Sequence, residues 1–272
     1  MSTPMSTPCS SPLSTTLDVR RPNASVAEVW LNRPDVRNAF DEATIAALTA
    51  EAARAADDPH LRAVVLAGAG AVFCAGADLA WMAKAVAYTH RDNLADAEDL
   101  ARMLERLDTL PLPLIGRIQG AAFGGGAGLA AVCDIVVAAE DAAFGFTEVK
   151  LGILPAVIAP YVIRKIGMSA ARELFITGGK FGAARAREIG LVHEVVPADQ
   201  LDAAVERRLA EIRTSAPRAV AAAKNLICEI AGADPKDVIG TTTSAIAAQR
   251  VSPEGQEGLR AFLEKRKPSW IA

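Results

Sequence analysis

Apolar and polar residues alternate over Leu17–Arg20 and again over Val26–Leu31, with Pro22-Asn23 between the two runs. Period-two alternation on both sides of a turn signal predicts a β-hairpin. The period then changes. From Glu42 to about Ala56 the apolar positions Ile45, Leu48, Ala52 and Ala55 recur at helical spacing, and Asp41 stands where an N-cap belongs. Leu61–Leu66 is a compact, mostly apolar run with two valines, as a buried strand requires, and it ends in the small-residue loop Gly68–Asp78. A helix is predicted over Asp92–Leu107, stopped by Pro111 and Pro113. A strand over Leu114–Ile118, the glycine-rich loop Gly120–Gly126, a short apolar helix over Ala127–Val132 and a strand over Asp134–Ala138 follow. The order strand, glycine-rich loop, helix, strand therefore recurs. It predicts an α/β fold of repeated β-β-α units with a mixed or parallel sheet. After Pro197 the pattern is helical throughout, in four amphipathic stretches over 200–213, 217–231, 237–252 and 253–267. Three regions result: a tail over 1–16, a core over 17–197 and a helical region over 198–272.

Composition narrows the function. The 272 residues are 51% hydrophobic, with a formal net charge of -3 and no basic stripe. Neither nucleic acid nor a membrane surface is indicated as the partner. The first 16 residues are rich in Ser, Thr and Pro and carry no charged side chain, so a disordered tail is expected rather than a leader. Cys9, Cys74, Cys133 and Cys228 form no C-x-x-C pair, which fits reduced thiols and a cytoplasmic location. Cys74 has no His-containing motif beside it that would make it a nucleophile. His60, His90 and His193 are scattered and form no metal-ligand spacing. His193 is expected to pack at a strand start.

The candidate chemistry lies in two glycine-rich loops and one glutamate. Each loop follows a predicted strand and precedes a helix-compatible stretch. Small residues allow a backbone to approach a ligand closely, and helix-initial N–H groups are free to bind it. Two such loops are either tight turns for helix–sheet packing or, if they converge, two donors for one developing oxyanion. No Gly-Lys-Ser/Thr follows them, and Gly120–Gly126 lacks the dinucleotide-binding spacing. Glu148 lies among Phe144, Phe146, Val149 and Leu151, surroundings that can raise a carboxyl pKa. The alternative is a surface glutamate paired with Lys150 or Arg164.

Several ordered segments resemble one family. They are Leu31–Phe40, Phe73–Leu79, Gly120–Gly126 with Cys133–Ile135, Phe144–Pro155, Gly190–Val196 and Phe262–Lys267. By these motifs the chain, over about residues 17–268, is identified as a member of the crotonase (enoyl-CoA hydratase/isomerase) superfamily. The resemblance implies a spiral of β-β-α repeats with a C-terminal helical trimerisation region, assembled as a trimer or a dimer of trimers. It implies an acyl-CoA thioester as substrate and no metal or redox cofactor. By motif position the oxyanion donors are the N–H groups of Ala77 and Gly125, and Glu148 is the acid/base. Arg37, Ala75, Gly76, Asp78 and Leu79 would contact coenzyme A, with Phe262 and Lys265 supplied by a neighbouring subunit. His90 falls in Lys84–Asn93, a segment that covers the acyl pocket in similar proteins.

One departure stands out. Typical hydratases of the family carry a second glutamate at the position of Gly128. Its loss, with Glu148 kept, is similar to bacterial 3-methylglutaconyl-CoA and isohexenylglutaconyl-CoA hydratases, as is the run Ala156-Val-Ile-Ala-Pro160. The leading expectation is a lyase that hydrates a branched glutaconyl-type 2-enoyl-CoA. The alternatives are a Δ3-Δ2-enoyl-CoA isomerase with one carboxylate, decarboxylation of a malonyl-type thioester, and a non-catalytic acyl-CoA-binding subunit.

Overall fold

The computed structural model describes residues 16–271. The expected tail, apart from Thr16, and Cys9 lie outside them. The hairpin forms as its alternation requires: β1 (Leu17–Asn23) pairs antiparallel with β2 (Val26–Leu31). Helix α1 (Glu42–Asp57) starts at Asp41, whose side chain accepts the Thr44 N–H. Its residues Ile45, Leu48, Ala52 and Ala55 are buried.

Strand β3 (Ala63–Gly68) is followed by the first small-residue loop, α2 (Leu79–Ala85) and α3 (His90–Asp108). Two β-β-α units come next. The first is β4 (Leu114–Ile118), β5 (Ala121–Phe123) and α4 (Gly125–Val132); the second is β6 (Ile135–Ala139), β7 (Ala143–Gly145) and α5 (Ala159–Thr177). Then come β8 (Lys180–Gly182), α6 (Ala183–Glu188), β9 (Glu194–Val196), α7 (Leu201–Thr214), α8 (Pro217–Ile230), α9 (Ile239–Val251) and α10 (Pro253–Leu263). The short strands β5, β7 and β8 escape a reading by periodicity, because three residues are too few to show a period. Helix α5 escapes it because Gly167 (φ 75°) breaks its 19 residues into two shorter stretches.

The first strand of each unit joins a six-stranded sheet in the order β1-β2-β3-β4-β6-β9, parallel from β2 onwards. The second strand of each unit joins a three-stranded sheet, β5-β7-β8. The chain thus spirals, placing one strand in each sheet per turn. The large sheet is buried on both faces, as parallel sheets are. Val64, Leu66, Val136 and Ala138 point to the main core, and Ala63, Val65, Val137 and Ala139 to the opposite side. Helix α7 covers that second face with Leu201, Ala204, Val205 and Leu209, spaced for one helical stripe. Helices α8 to α10 differ. Ala261 is their single buried residue, and Ile227, Ile239, Val251, Leu259 and Phe262 are exposed. Among the described residues, no helix is long and apolar enough to cross a membrane.

Candidate active site

The first loop is held by side chains that sequence reasoning did not single out. Asn38 is buried in a left-handed conformation (φ 55°), and its Nδ2 donates to the carbonyls of Ala69 and Val72 at 2.7 Å each. Its Oδ1 accepts the Arg33 N–H at 2.9 Å. Gln119 Nε2 donates to Gly68 O at 2.6 Å and Gly70 O at 3.0 Å. Neither carries a local sequence signal, since each binds carbonyls 31 to 51 residues away. Together they occupy loop carbonyls that would otherwise lack partners.

The end of this loop forms a parallel bridge with Phe40. Phe40 N–H donates to Gly76 O at 2.9 Å, and Asp78 N–H donates to Phe40 O at 3.0 Å. In such a bridge the intervening residue directs its own N–H to the other side. The Ala77 N–H accordingly has no acceptor among the described residues. Asp78 is committed to structure. Its Oδ1 accepts the N–H groups of Ala80 and Trp81, capping α2, and its Oδ2 accepts Arg33 Nη2 at 2.9 Å. Its backbone is engaged as well, since its carbonyl accepts the Met82 N–H at 2.9 Å. Arg33 also donates to Ala39 O at 2.7 Å and pairs with Asp41.

The two loops converge. Cys74 N–H donates to Ala121 O at 3.0 Å, and Phe123 N–H donates to Cys74 O at 3.1 Å. Gly76 (φ 97°) comes so close to the second loop that a Cβ there would lie 2.8 Å from Phe123 O and 3.8 Å from Gly125 N. Gly124 (φ 52°) turns the chain into α4, and a Cβ on Gly125 would meet Phe40 Cζ at 2.2 Å. Gly125 is the first residue of α4, so its N–H has no helical acceptor, and none other is present among the described residues. The helix dipole adds partial positive charge there.

Glu148 joins this group through β7. Gly124 N–H donates to Gly145 O at 2.8 Å, and three residues later Glu148 opens a short 3-10 turn. Its Oε1 lies 3.1 Å from the point a Cβ on Gly124 would occupy. Its Oε2 is buried and has no hydrogen-bond partner. Burial raises its pKa above the ordinary value, opposed by its own backbone N–H. The alternative of an ion pair is not what forms: Arg164 pairs with Asp108 instead. Two residues before Glu148, Phe146 is fully buried and packs edge-on to Phe175 at 5.0 Å. One helical turn beyond Gly124, Gly128 is buried, and a Cβ there would meet Ile158 Cγ2 at 2.3 Å.

The structure therefore brings together Ala75 to Leu79, Gly125 and Glu148. It also brings in Arg37, whose carbonyl accepts the Ala75 N–H at 3.0 Å and whose side chain is exposed. Leu79 opens α2 and is 82% exposed. Phe262 and Lys265 stand apart at the end of α10, which packs on α8 and α9. Cys74 is fully buried with its thiol pushed up to about 12, so it is no nucleophile. His193 precedes β9, accepts the Val136 N–H at Nδ1, and is pushed down to about 4 by burial and by Lys165 and Arg208. His90 is an exposed first residue of α3.

Residues 21–272 match the family model described as enoyl-CoA hydratase/isomerase. An enoyl-CoA hydratase structure from Shewanella pealeana superposes with a TM-score of 0.92 at 40% identity, covering 95% of this chain and 97% of that one. AtuE from Pseudomonas aeruginosa gives 0.90 at 39% identity, covering 94% and 100%. The 2,3-dehydroadipyl-CoA hydratase of Escherichia coli is 33% identical over 242 residues, 88% of this chain and 92% of that protein. The β-β-α spiral, the C-terminal helices and these likenesses agree, and the chain belongs to the enoyl-CoA hydratase/isomerase family of acyl-CoA enzymes.

Proposed function

We propose that this enzyme reversibly adds water to a 2-enoyl-CoA whose acyl group is of the branched glutaconyl type. The observation that carries the reading is the Glu148 carboxylate, raised by burial, with one oxygen unengaged, beside the N-terminus of α4. Glu148 takes a proton from water as the water oxygen bonds to Cβ of the thioester. The electron pair of the double bond moves to the thioester, giving an enolate. The N–H groups of Ala77 and Gly125 hold its oxygen, a contribution of about 3 kcal/mol per donor in comparable sites. Glu148 then returns the proton to Cα, so one carboxylate completes the addition. The name of the Escherichia coli relative, with its carboxylated acyl chain, supports a dicarboxylic substrate.

Ala75, Gly76, Asp78 and Leu79, with the Arg37 side chain, line the coenzyme A site in this reading. Phe262 and Lys265 reach the coenzyme of a neighbouring subunit in a trimer or hexamer, which the exposed apolar surface of α8 to α10 supports. No metal or further cofactor takes part.

A second reading is Δ3-Δ2-enoyl-CoA isomerisation, favoured by Gly128, which leaves Glu148 as the one carboxylate to remove and return a proton. Mass-resolved product analysis decides between them. Purified protein is offered 3-methylglutaconyl-CoA, crotonyl-CoA and 3-hexenoyl-CoA in parallel. A water adduct, strongest on 3-methylglutaconyl-CoA, is the expected result. Double-bond migration in 3-hexenoyl-CoA with no hydration of any thioester would move the assignment to the isomerase.

A further inference from the structure

Gly128 lies one turn beyond Gly124, and its N–H donates to the Gly124 carbonyl at 3.0 Å. Glu148 stands at that carbonyl's residue, with Oε1 3.1 Å from the Cβ position of Gly124. By the family resemblance, a second carboxylate at this site would be a glutamate side chain at 128. The space it needs is taken. A Cβ at 128 would lie 2.3 Å from Ile158 Cγ2 and 2.9 Å from Ile158 Cβ.

Rotating χ1 of Ile158 moves its Cγ2 but leaves its Cβ in place. In every rotamer of Ile158 its Cβ stays 2.9 Å from that point, and alanine at 158 keeps that atom. Ile158 is itself held firmly. It is 3% exposed, caps α5 with helical backbone angles (φ -83°, ψ -18°), and its carbonyl accepts the Val162 N–H at 3.1 Å. Glu148 meanwhile has no ion-pair partner among the described residues, and no neighbouring charge is among the causes of its raised pKa.

We infer that Ile158 is a specificity-determining residue: it seals position 128 with hydrocarbon and so holds the site to one carboxylate. This rests on the reading of Glu148 as the acid/base. Ile158 touches no reacting atom and acts through the residue that position 128 is able to carry. The pair Gly128–Ile158 works as one unit, so restoring a second acid requires both positions to change. Glycine at 158 fits, because the backbone angles there are negative-φ helical values open to any residue.

The test compares Gly128→Glu, Ile158→Gly and the double variant with the unaltered full-length protein, measuring hydration of crotonyl-CoA, a small unbranched thioester. The single Gly128→Glu variant is expected to gain nothing, because it overpacks a closed space. The double variant is expected to gain roughly 100-fold in kcat, the scale of an added general acid/base group. Adding Glu148→Gln to the double variant should abolish that gain. Equal gains in Gly128→Glu alone and in the double variant would overturn the role of Ile158. So would a folded, acyl-CoA-binding double variant with no gain.

Should the glutamate-bearing variants fail to fold, a thermal-unfolding cycle with Gly128→Ala decides the matter. That substitution should lower Tm by several degrees in the native chain and by little in the Ile158→Gly background. An equal loss in both backgrounds refutes the interlock. The cycle does not depend on activity. Absence of turnover on every enoyl-CoA would therefore count against the proposed function and leave the Ile158 inference to be judged by stability.

Discussion

The N–H of Gly124 donates to the carbonyl of Gly145 at 2.8 Å. This one bond joins the turn that starts α4 to the strand that leads into Glu148. The Gly125 N–H, a candidate oxyanion donor, and the backbone that carries Glu148 are therefore tied together through main chain. Near-attack geometry of this kind is where positioning contributes to rate.

Replacing Glu148 by Gln removes the proposed proton carrier and keeps the shape of the site. Turnover should fall roughly 100- to 10,000-fold, while acyl-CoA binding, followed by calorimetry, stays within a few-fold of the native value. Near-normal turnover would exclude Glu148 as the main acid/base.

The same substitution should change stability in a pH-dependent way. Glu148 has a folded-state pKa above its unfolded value, because burial disfavours the charged form. Below the unfolded pKa both states are protonated and the carboxyl carries no penalty. As pH rises through the folded pKa, the charged group destabilises the fold in full. Glu148→Gln is therefore expected to raise Tm at pH 7, and the gain should vanish near pH 4. A Tm difference that stays constant across that range would show that burial of the charge is not its origin.

Asn38→Ala strips the partners from the Ala69 and Val72 carbonyls and from the Arg33 N–H. Leaving buried polar groups unpaired costs about 1–3 kcal/mol each, so urea unfolding should register a loss of that order or larger. The left-handed backbone at Asn38 adds to it. Because the loop it braces carries the Ala77 N–H, kcat should fall along with stability even at temperatures where the variant remains folded.

Leu209 is 4% exposed and packs α7 on the far face of the large sheet. Leu209→Ala should destabilise by about 2–5 kcal/mol, with KM and kcat of the surviving folded enzyme unchanged, since the site lies at the loops beyond the other face. A selective loss of kcat would mean that α7 communicates with the loops.

The regular elements were legible wherever an unbroken apolar period ran long enough, and the 19-residue α5, interrupted at Gly167, was missed. The hairpin, α1 with its Asp41 cap, the strand over 114–118 and the four C-terminal helices follow from side-chain spacing alone. The strands β5, β7 and β8 are each three residues long, and their placement is decided by pairing partners far away in sequence. The Gly-rich loops could be located but not joined, since convergence depends on the Cys74–Ala122 and Phe40–Ala77 bridges. Asn38 and Gln119 were hidden for the same reason: their partners lie 31 to 51 residues away. Ile158 reads as an ordinary core residue until the missing Cβ of Gly128 is measured against it.

The two candidate donors belong to the main chain, and that sets how the site responds to mutation. Every amino acid except proline keeps an N–H at position 77, so drift there alters shape and spares the donor. Position 125 is far less forgiving. Phe40 presses so closely on it that any Cβ collides, and a single methyl group displaces the donor without deleting it. A lineage carrying this site can therefore vary residue 77 while residue 125 stays fixed as long as Phe40 does.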